Sequence, residues 1–258
     1  MPEGDTVYLS AKNLNTALAG SVLTGCDIRV PEFATFDLTG HTLREVVPRG
    51  KHLLMRVGGS TIHTHLKMEG SWHLYRPETP WRRPAWQARI ILRTAEWVAV
   101  GFQLGITEVL RTADEHTVVG HLGPDLLGPD WDAAEAQRRL LEQPERPIGT
   151  ALLDQRNLAG LGNVYRAEIC FLRGVLPTRP VGDIPDLPAL IDLSHRLITA
   201  NRERSTRTTT GKLRGVHSWV YGRERKPCAR CGTLIRAGTL GDPSEPERNT
   251  FWCPSCQT

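Results

Sequence analysis

The chain opens Met1-Pro2-Glu3. A small second residue commonly permits removal of Met1, and the mature chain then begins with a proline whose nitrogen is a secondary amine. A terminal amine has a reference pKa of about 7.7 to 8.0, so a useful fraction is neutral near pH 7, whereas a lysine near 10.4 is almost wholly charged. Pro2 is therefore a candidate imine-forming nucleophile. Glu3 beside it favours the charged amine, and the positive end of a helix just downstream favours the neutral one by about 0.3 to 1 kcal/mol. Many chains begin this way with no chemistry attached, and this stretch alone does not separate the two readings.

Four cysteines form a second constellation. CARC at 228–231 and CPSC at 253–256 are two Cys-x-x-Cys pairs, a spacing that lets four thiolates face one tetrahedral ion in the manner of a zinc ribbon. A four-thiolate site leaves no open position, so one structural Zn²⁺ held by Cys228, Cys231, Cys253 and Cys256 is expected to hold shape and do no chemistry. Disulfides are the alternative, and the absence of a secretory-type apolar start argues against them. TLIRAGTL and TFWC flank GDPSEPERN, which reads as a hairpin with a long tip carrying Arg248. Cys26 and Cys170 sit in apolar settings and read as core. His63 and His65 in TIHTHL fall on one face of a strand; metal binding is conceivable there, and ordinary strand histidines are the expectation.

LLDQRNLAGLGNVYRAEI reads as a helix ending near Arg156, a turn holding Gly160 and Gly162, and a second helix opened by Asn163. The free amides and dipole at such a helix start suit a phosphate, while a plain helical hairpin explains the glycines equally well. The net charge of +4 is unevenly spread: residues 201–230 hold nine Lys/Arg against Glu203 and Glu224. That block reads as a polyanion-binding face or as a solvated loop.

These groups need a scaffold. Residues 5–19 read as a helix capped by Asp5, with Val7, Ala11, Leu14 and Leu18 on one face and Gly20 as the stop. From about 21 to 125 short β-rich runs (HLLMRV, TIHTHL, ARIIL, WVAVGF) are cut by Gly and Pro, as in a sandwich or barrel. From about 130 the pattern is helical, with HLGPDLLGPD as the linker. Residues 223–258 carry too few apolar side chains to fold unaided and need a staple. The 258 residues thus divide into 1–128, 129–222 and 223–258. No stretch approaches the roughly 18 apolar residues of a membrane helix, and a cytoplasmic protein is expected.

PEG at the start, RGKHLL at 49–54, HLKMEGS at 65–71, LLDQRNLAGLGN at 152–163 and the closing four-cysteine ribbon resemble, in that order and over the whole chain, the Fpg/Nei family of DNA glycosylases. The likeness is greatest to its bacterial endonuclease VIII branch in the actinobacterial form. The resemblance implies an α+β multidomain fold: an N-terminal β-sandwich with an N-terminal helix, a helix–two-turn–helix domain and a zinc-ribbon hairpin, with DNA in the cleft between. It implies a monomeric bifunctional glycosylase and AP lyase that flips an oxidised base, pyrimidines favoured, out of duplex DNA. Oxidised purines, single-stranded DNA and a non-catalytic damage binder are the alternatives. A regulator reading base edges is the alternative from another class; NVYRAEIC offers it one long polar reader, Arg166, and leaves PEG and Lys51 unexplained. By resemblance Pro2 attacks C1′, Glu3 gives a proton to the opening sugar, and Lys51 serves phosphate binding and β-elimination. Asn163 clamps phosphate, Arg248 serves phosphate binding and δ-elimination, and Met68 fills the space of the flipped base; a buried strand methionine is the plainer account of Met68. The chain departs from the family in Asp5-Thr6 where Pro-Glu is usual, in Lys67 and Glu69 beside Met68, and in the longer spacer before Arg248.

Overall fold

The computed structural model describes residues 2–212, 214–242 and 247–258. They form two compact units, residues 1–121 and 122–258. Among the described residues no helix is long and apolar enough to cross a membrane.

The first unit begins with helix α1 (Gly4–Leu18), and Val7, Ala11, Leu14 and Leu18 form its buried stripe as the periodicity requires. It starts one residue earlier than the sequence suggests. Glu3 is extended (φ −128°, ψ −173°) and its carbonyl accepts from Val7 N–H at 3.1 Å. Asp5 therefore lies inside the first turn and not at the cap position, and its carboxylate accepts from the N–H and hydroxyl of Thr6. At the other end Gly20 takes the left-handed conformation (φ +81°) that a side chain would disfavour.

Eight strands follow: β1 (Gly25–Ile28), β2 (Leu43–Arg49), β3 (His52–Val57), β4 (Ser60–His65), β5 (Ser71–Tyr75), β6 (Ala88–Arg93), β7 (Val98–Phe102) and β8 (Ile106–Arg111). They build two antiparallel four-stranded sheets, ordered β1-β6-β7-β5 and β2-β3-β4-β8. Alternation decides which face each residue takes. Ile90 and Leu92 join Met55, Ile62 and the α1 stripe in the principal core. Ile91, between them, points the other way and packs with Tyr75, Val100 and Phe102. A short helix, α2 (His116–Val119), ends the unit.

The second unit holds α3 (Ala133–Leu140), α4 (Ile148–Ala151), α5 (Asn163–Arg173) and α6 (Leu187–Thr199), then the hairpin β9 (Arg236–Leu240) and β10 (Arg248–Trp252). Asp132 and Asp186 cap α3 and α6, their carboxylates accepting from Ala134 and Glu135 N–H and from Ala189 N–H. The hairpin packs Ile235, Cys228 and Cys253 against Ala167 and Phe171 of α5 and Val220. The ribbon thus completes its small core by borrowing one face of a helix.

One ion is the hinge of this packing. Glu168 is wholly buried on α5, and its carboxylate accepts from the backbone N–H groups of Trp219 (2.7 Å), Val220 (2.9 Å) and Tyr221 (2.8 Å) and from the Thr209 hydroxyl. It ties the 209–221 segment to the helix. Glu168→Ala removes the acceptor of one buried and two part-buried amides, each loss worth up to roughly 1 to 3 kcal/mol. A loss of about 3 to 5 kcal/mol in the urea-measured stability of the second unit is expected; a loss below about 1 kcal/mol would show that the segment is held by other contacts.

Candidate active site and nucleic-acid interface

Pro2 is half-buried at the head of α1, and Glu3, next to it, is wholly inaccessible (0% exposed). Met1 lies outside the described residues. The extended backbone at Glu3 together with a helix that begins at Gly4 puts the terminal residue at the positive end of the α1 dipole.

Lys51 is the second residue of the two-residue turn joining β2 to β3, where Arg49 pairs with His52. Gly50 occupies the first turn position with φ +57°, as a tight hairpin with a glycine in that place demands. The cross-strand register sets His52 opposite His65 and Leu54 opposite His63, so three imidazoles share one face. His52 and His63 stack with centroids 5.0 Å apart, and His65 meets His52 edge-on, also at 5.0 Å. Burial, reinforced by the neighbouring imidazoles and Lys67, pushes His52 down to about 3. Burial and the Lys67 and Lys51 charges push His65 down to about 4. His52 and His65 are thus neutral at physiological pH. Expected from sequence to be ordinary strand histidines, His63 and His65 form a connected array with His52 and Glu108. The signal was present in the alternation of RGKHLL against TIHTHL, once the two strands are paired.

Met68 sits in the β4–β5 turn and is 62% exposed, so it is no buried strand methionine. The turn is tightly specified. Lys67 adopts φ +52° and donates its N–H to His65 Nδ1 at 2.9 Å, while Gly70 N–H donates to the Leu66 carbonyl at 2.9 Å. A Cβ on Gly70 would lie 2.4 Å from that carbonyl oxygen. Glu69 is drawn sideways, accepting from Gln103 Nε2 at 3.4 Å.

In the second unit the helix expected to run to Arg156 stops at Ala151. The reason lies in the polar residues that follow, which satisfy backbone groups without a helix. Asp154 accepts from Arg156 N–H (3.0 Å), Gln155 donates to the Leu153 and Leu161 carbonyls and accepts from Gly160 N–H, and Asn157 donates to the Ala151 carbonyl. Gly160 has φ +114°, closed to other residues. Gly162 is the cap of α5 and Asn163 its first residue.

Asn163 Nδ2 and Arg166 Nη2 both donate to the carbonyl of Asn249, each at 2.7 Å. Asn163 Oδ1 is buried with no hydrogen-bond partner among the described residues. Arg166, wholly buried, is no base reader; it belongs to the join between α5 and the hairpin. Arg248 is exposed and opens strand β10 opposite Leu240, so it belongs to the sheet and not to the tip. Residues 243–246 of the inserted GDPSEPE lie outside the described residues. Four sulfurs close the ribbon, all within 4.8 Å of one another. The Cys231–Cys253 and Cys228–Cys256 separations are 3.4 Å and 4.0 Å. Disulfides require about 2.05 Å, whereas thiolates around one tetrahedral metal with bonds of about 2.3 Å stand about 3.8 Å apart. The cluster can hold a metal ion.

The basic block is partly consumed by structure. Arg223 donates to the carbonyls of Trp219 and Pro227, Arg230 lies over the Phe171 ring at 4.3 Å, and Arg207 lies over Tyr165 at 4.9 Å. Lys212, Arg214, Arg225 and Lys226 stay exposed.

The profile of the formamidopyrimidine-DNA glycosylase N-terminal domain matches residues 1–123, and that of the H2TH domain of the same glycosylases matches residues 122–195. Over 261 residues, the whole of this chain and 94% of the relative, the sequence is 57% identical to "Probable endonuclease 8 2" of Streptomyces coelicolor. It is 49% identical over 259 residues, 100% of this chain and 99% of the relative, to "DNA-(apurinic or apyrimidinic site) lyase Nei2" of Mycolicibacterium smegmatis. Lactococcus lactis Fpg, solved with DNA containing an abasic site, shares the fold with a TM-score of 0.82 at 23% identity over 99% of both chains. An α+β architecture of helix-led β-sandwich, two-turn helical unit and four-cysteine hairpin, together with these full-length likenesses, places the chain in the Fpg/Nei family, among the actinobacterial endonuclease 8 proteins.

Proposed function

We propose that this protein is a bifunctional DNA glycosylase and AP lyase that removes oxidised bases, pyrimidines favoured, from duplex DNA in the cytoplasm and then cuts the strand. The observation that carries the reading is the chain start: a proline followed by a fully buried glutamate, set at the head of a helix in a family of DNA glycosylases. The sugar C1′ is out of reach while the base is stacked, so the nucleotide is flipped, and Met68, unbranched and exposed, fills the vacated space. The neutral Pro2 nitrogen gives its lone pair to C1′, and the bond to the base breaks with its electrons on the base, which takes up a proton; the nitrogen sheds its own proton and the C1′–O4′ bond opens to an iminium as Glu3 protonates O4′. The resulting iminium draws electrons from the C2′–H bond; the C2′ proton leaves to a base, a C2′=C3′ double bond forms, and the 3′ phosphate departs. Lys51 and Arg248 offset the phosphate charge. Asn163 spends one amide hydrogen on Asn249, which leaves the second for a phosphate. The ribbon metal is Zn²⁺, which fixes the hairpin carrying Arg248 and takes no part in the reaction.

Borohydride added to the protein with abasic-site duplex should yield a covalent protein–DNA band. Chains that retain Met1 should give none, and Pro2→Gly should slow base excision at least roughly tenfold. Undiminished trapping by Met1-bearing chains would remove Pro2 from the mechanism.

Glu3→Gln should lower excision of an oxidised pyrimidine by roughly 10² to 10⁴ while nicking of preformed abasic sites stays within about tenfold of wild type. Equal loss of both would strip Glu3 of its donor role.

Metal analysis should find one zinc per chain. Its removal by a chelator, or Cys231→Ser, should abolish DNA binding while circular dichroism of the β-rich unit persists. Full DNA binding by the zinc-free protein would contradict the ribbon's role.

A further inference from the structure

Behind the Lys51 turn runs a chain of hydrogen bonds that the reaction above does not use. Glu108 on β8 pairs in register with His63 on β4, and its Oε1 lies 2.6 Å from His63 Nδ1. His63 Nε2 lies 2.8 Å from Nδ1 of His52, the residue that follows Lys51. His63 is 2% exposed, and the Glu108 side chain, at 35%, reaches solvent. An ionised carboxylate only accepts, and a neutral imidazole has one donor and one acceptor nitrogen. For a neutral His63 these rules direct the whole chain: its Nδ1 hydrogen goes to Glu108, its Nε2 accepts, and His52 carries its hydrogen on Nδ1. A second rule fixes His65, whose Nδ1 accepts from Lys67 N–H and whose hydrogen therefore sits on Nε2.

His52 is where this chain meets the site. It is bonded covalently to Lys51 and packs edge-on against His65, the ring on which the Lys51 charge acts. The other groups around His52 are His63 on β4, His121 beyond α2 and Lys67 in the β4–β5 turn. Neutral, directed rings hold one geometry; an imidazole free to exchange tautomers would turn a donor toward a donor and loosen both neighbours.

We propose that Glu108 and His63 are positioning residues for Lys51: through the locked ring of His52 they fix the Lys51 turn and the His65 imidazole beside it. This rests on the lyase reading of Lys51.

The test has two arms. Imidazole ¹⁵N spectra of the free, full-length protein between pH 5.5 and 8 should report Nδ1–H tautomers for His52 and His63 and an Nε2–H tautomer for His65. Glu108→Gln keeps the side-chain shape but can donate as well as accept, so it releases the direction of the chain; His63→Phe severs it with a somewhat larger planar ring. Each should slow single-turnover cutting of an abasic-site duplex about tenfold, with the DNA dissociation constant within twofold of wild type, because neither residue is placed on a phosphate. Glu108→Gln should also show mixed tautomers at His63. The opposite tautomers in the wild-type protein, or cutting by both variants within twofold of wild type, would overturn the positioning role. Wild-type protein that leaves abasic DNA uncut overturns the lyase reading, and this proposal with it, whereas active wild type with unaffected variants overturns the positioning role alone.

Discussion

The burial of two opposite charges on α5 is the constraint on which the second unit depends. Arg166 and Glu168 are both wholly inaccessible, two residues apart on one helix. An isolated charge in such a place would be prohibitively costly, so each must be answered by fixed polar groups. Glu168 is answered by three consecutive backbone amides and a hydroxyl, which fastens the 209–221 segment. Arg166 reaches the Asn249 carbonyl, one residue from Arg248. The helix that presents Asn163 at its first position is therefore the same helix that fixes the strand presenting Arg248. Asn163 and Arg248, the groups proposed to bind phosphate, share one support, and the cysteine cluster closes the far end of that support against Phe171.

The first unit solves its positioning problem with a sheet. Lys51 needs a tight turn, and the turn needs Gly50 with positive φ. The strands on either side of it, β2 and β3, are pinned by a pairing that runs unbroken from Glu45–Arg56 to Arg49–His52. Next to the turn the chemistry changes from apolar to imidazole. Neutral histidines there leave the local positive charge to Lys51 and Lys67, since burial keeps both His52 and His65 from competing as cations. Two rings held neutral also stiffen the sheet face, because the donors and acceptors of His52 and His65 do not change places near neutral pH.

How much of this was legible beforehand follows from which interactions are local. The α1 stripe, the left-handed Gly20, the four-cysteine spacing and the hairpin around the ribbon are set by neighbours within a few residues, and the sequence carries them. Asn163 at the start of α5 is equally local, because two glycines precede it. The end of α4 was misplaced because Asp154, Gln155 and Asn157 are acceptable in a helix and equally able to bond the backbone out of one; the tertiary setting decides between them. Arg166 looks like a surface reader in NVYRAEIC because nothing local reveals that a strand more than eighty residues away brings a carbonyl to it. Glu108 was invisible for a similar reason, as its partner is given by a cross-strand register that only the folded sheet defines. The departures at Asp5 and Thr6 resolve into a local exchange of hydrogen bonds at the helix start, which the sequence could suggest but not orient.

Charge is where counting and structure diverge most. Nine cations in residues 201–230 suggest a broad polyanion face. Arg223 and Arg230 instead hold the ribbon's approach, one through two carbonyls and one over an aromatic ring, and Arg204 bonds the Ala200 carbonyl at the end of α6. Guanidinium groups suit such work because the planar fork hydrogen-bonds in its plane and stacks through its face at once, whereas an ammonium has no flat face to stack. Both lysines of the block stay exposed, together with Arg214 and Arg225. The bracing guanidiniums keep their charge, and the exposed cations outside that bracing work are Lys212, Arg214, Arg225 and Lys226. Residues that bind and residues that brace are drawn from the same chemical type here, and only burial and partners tell them apart.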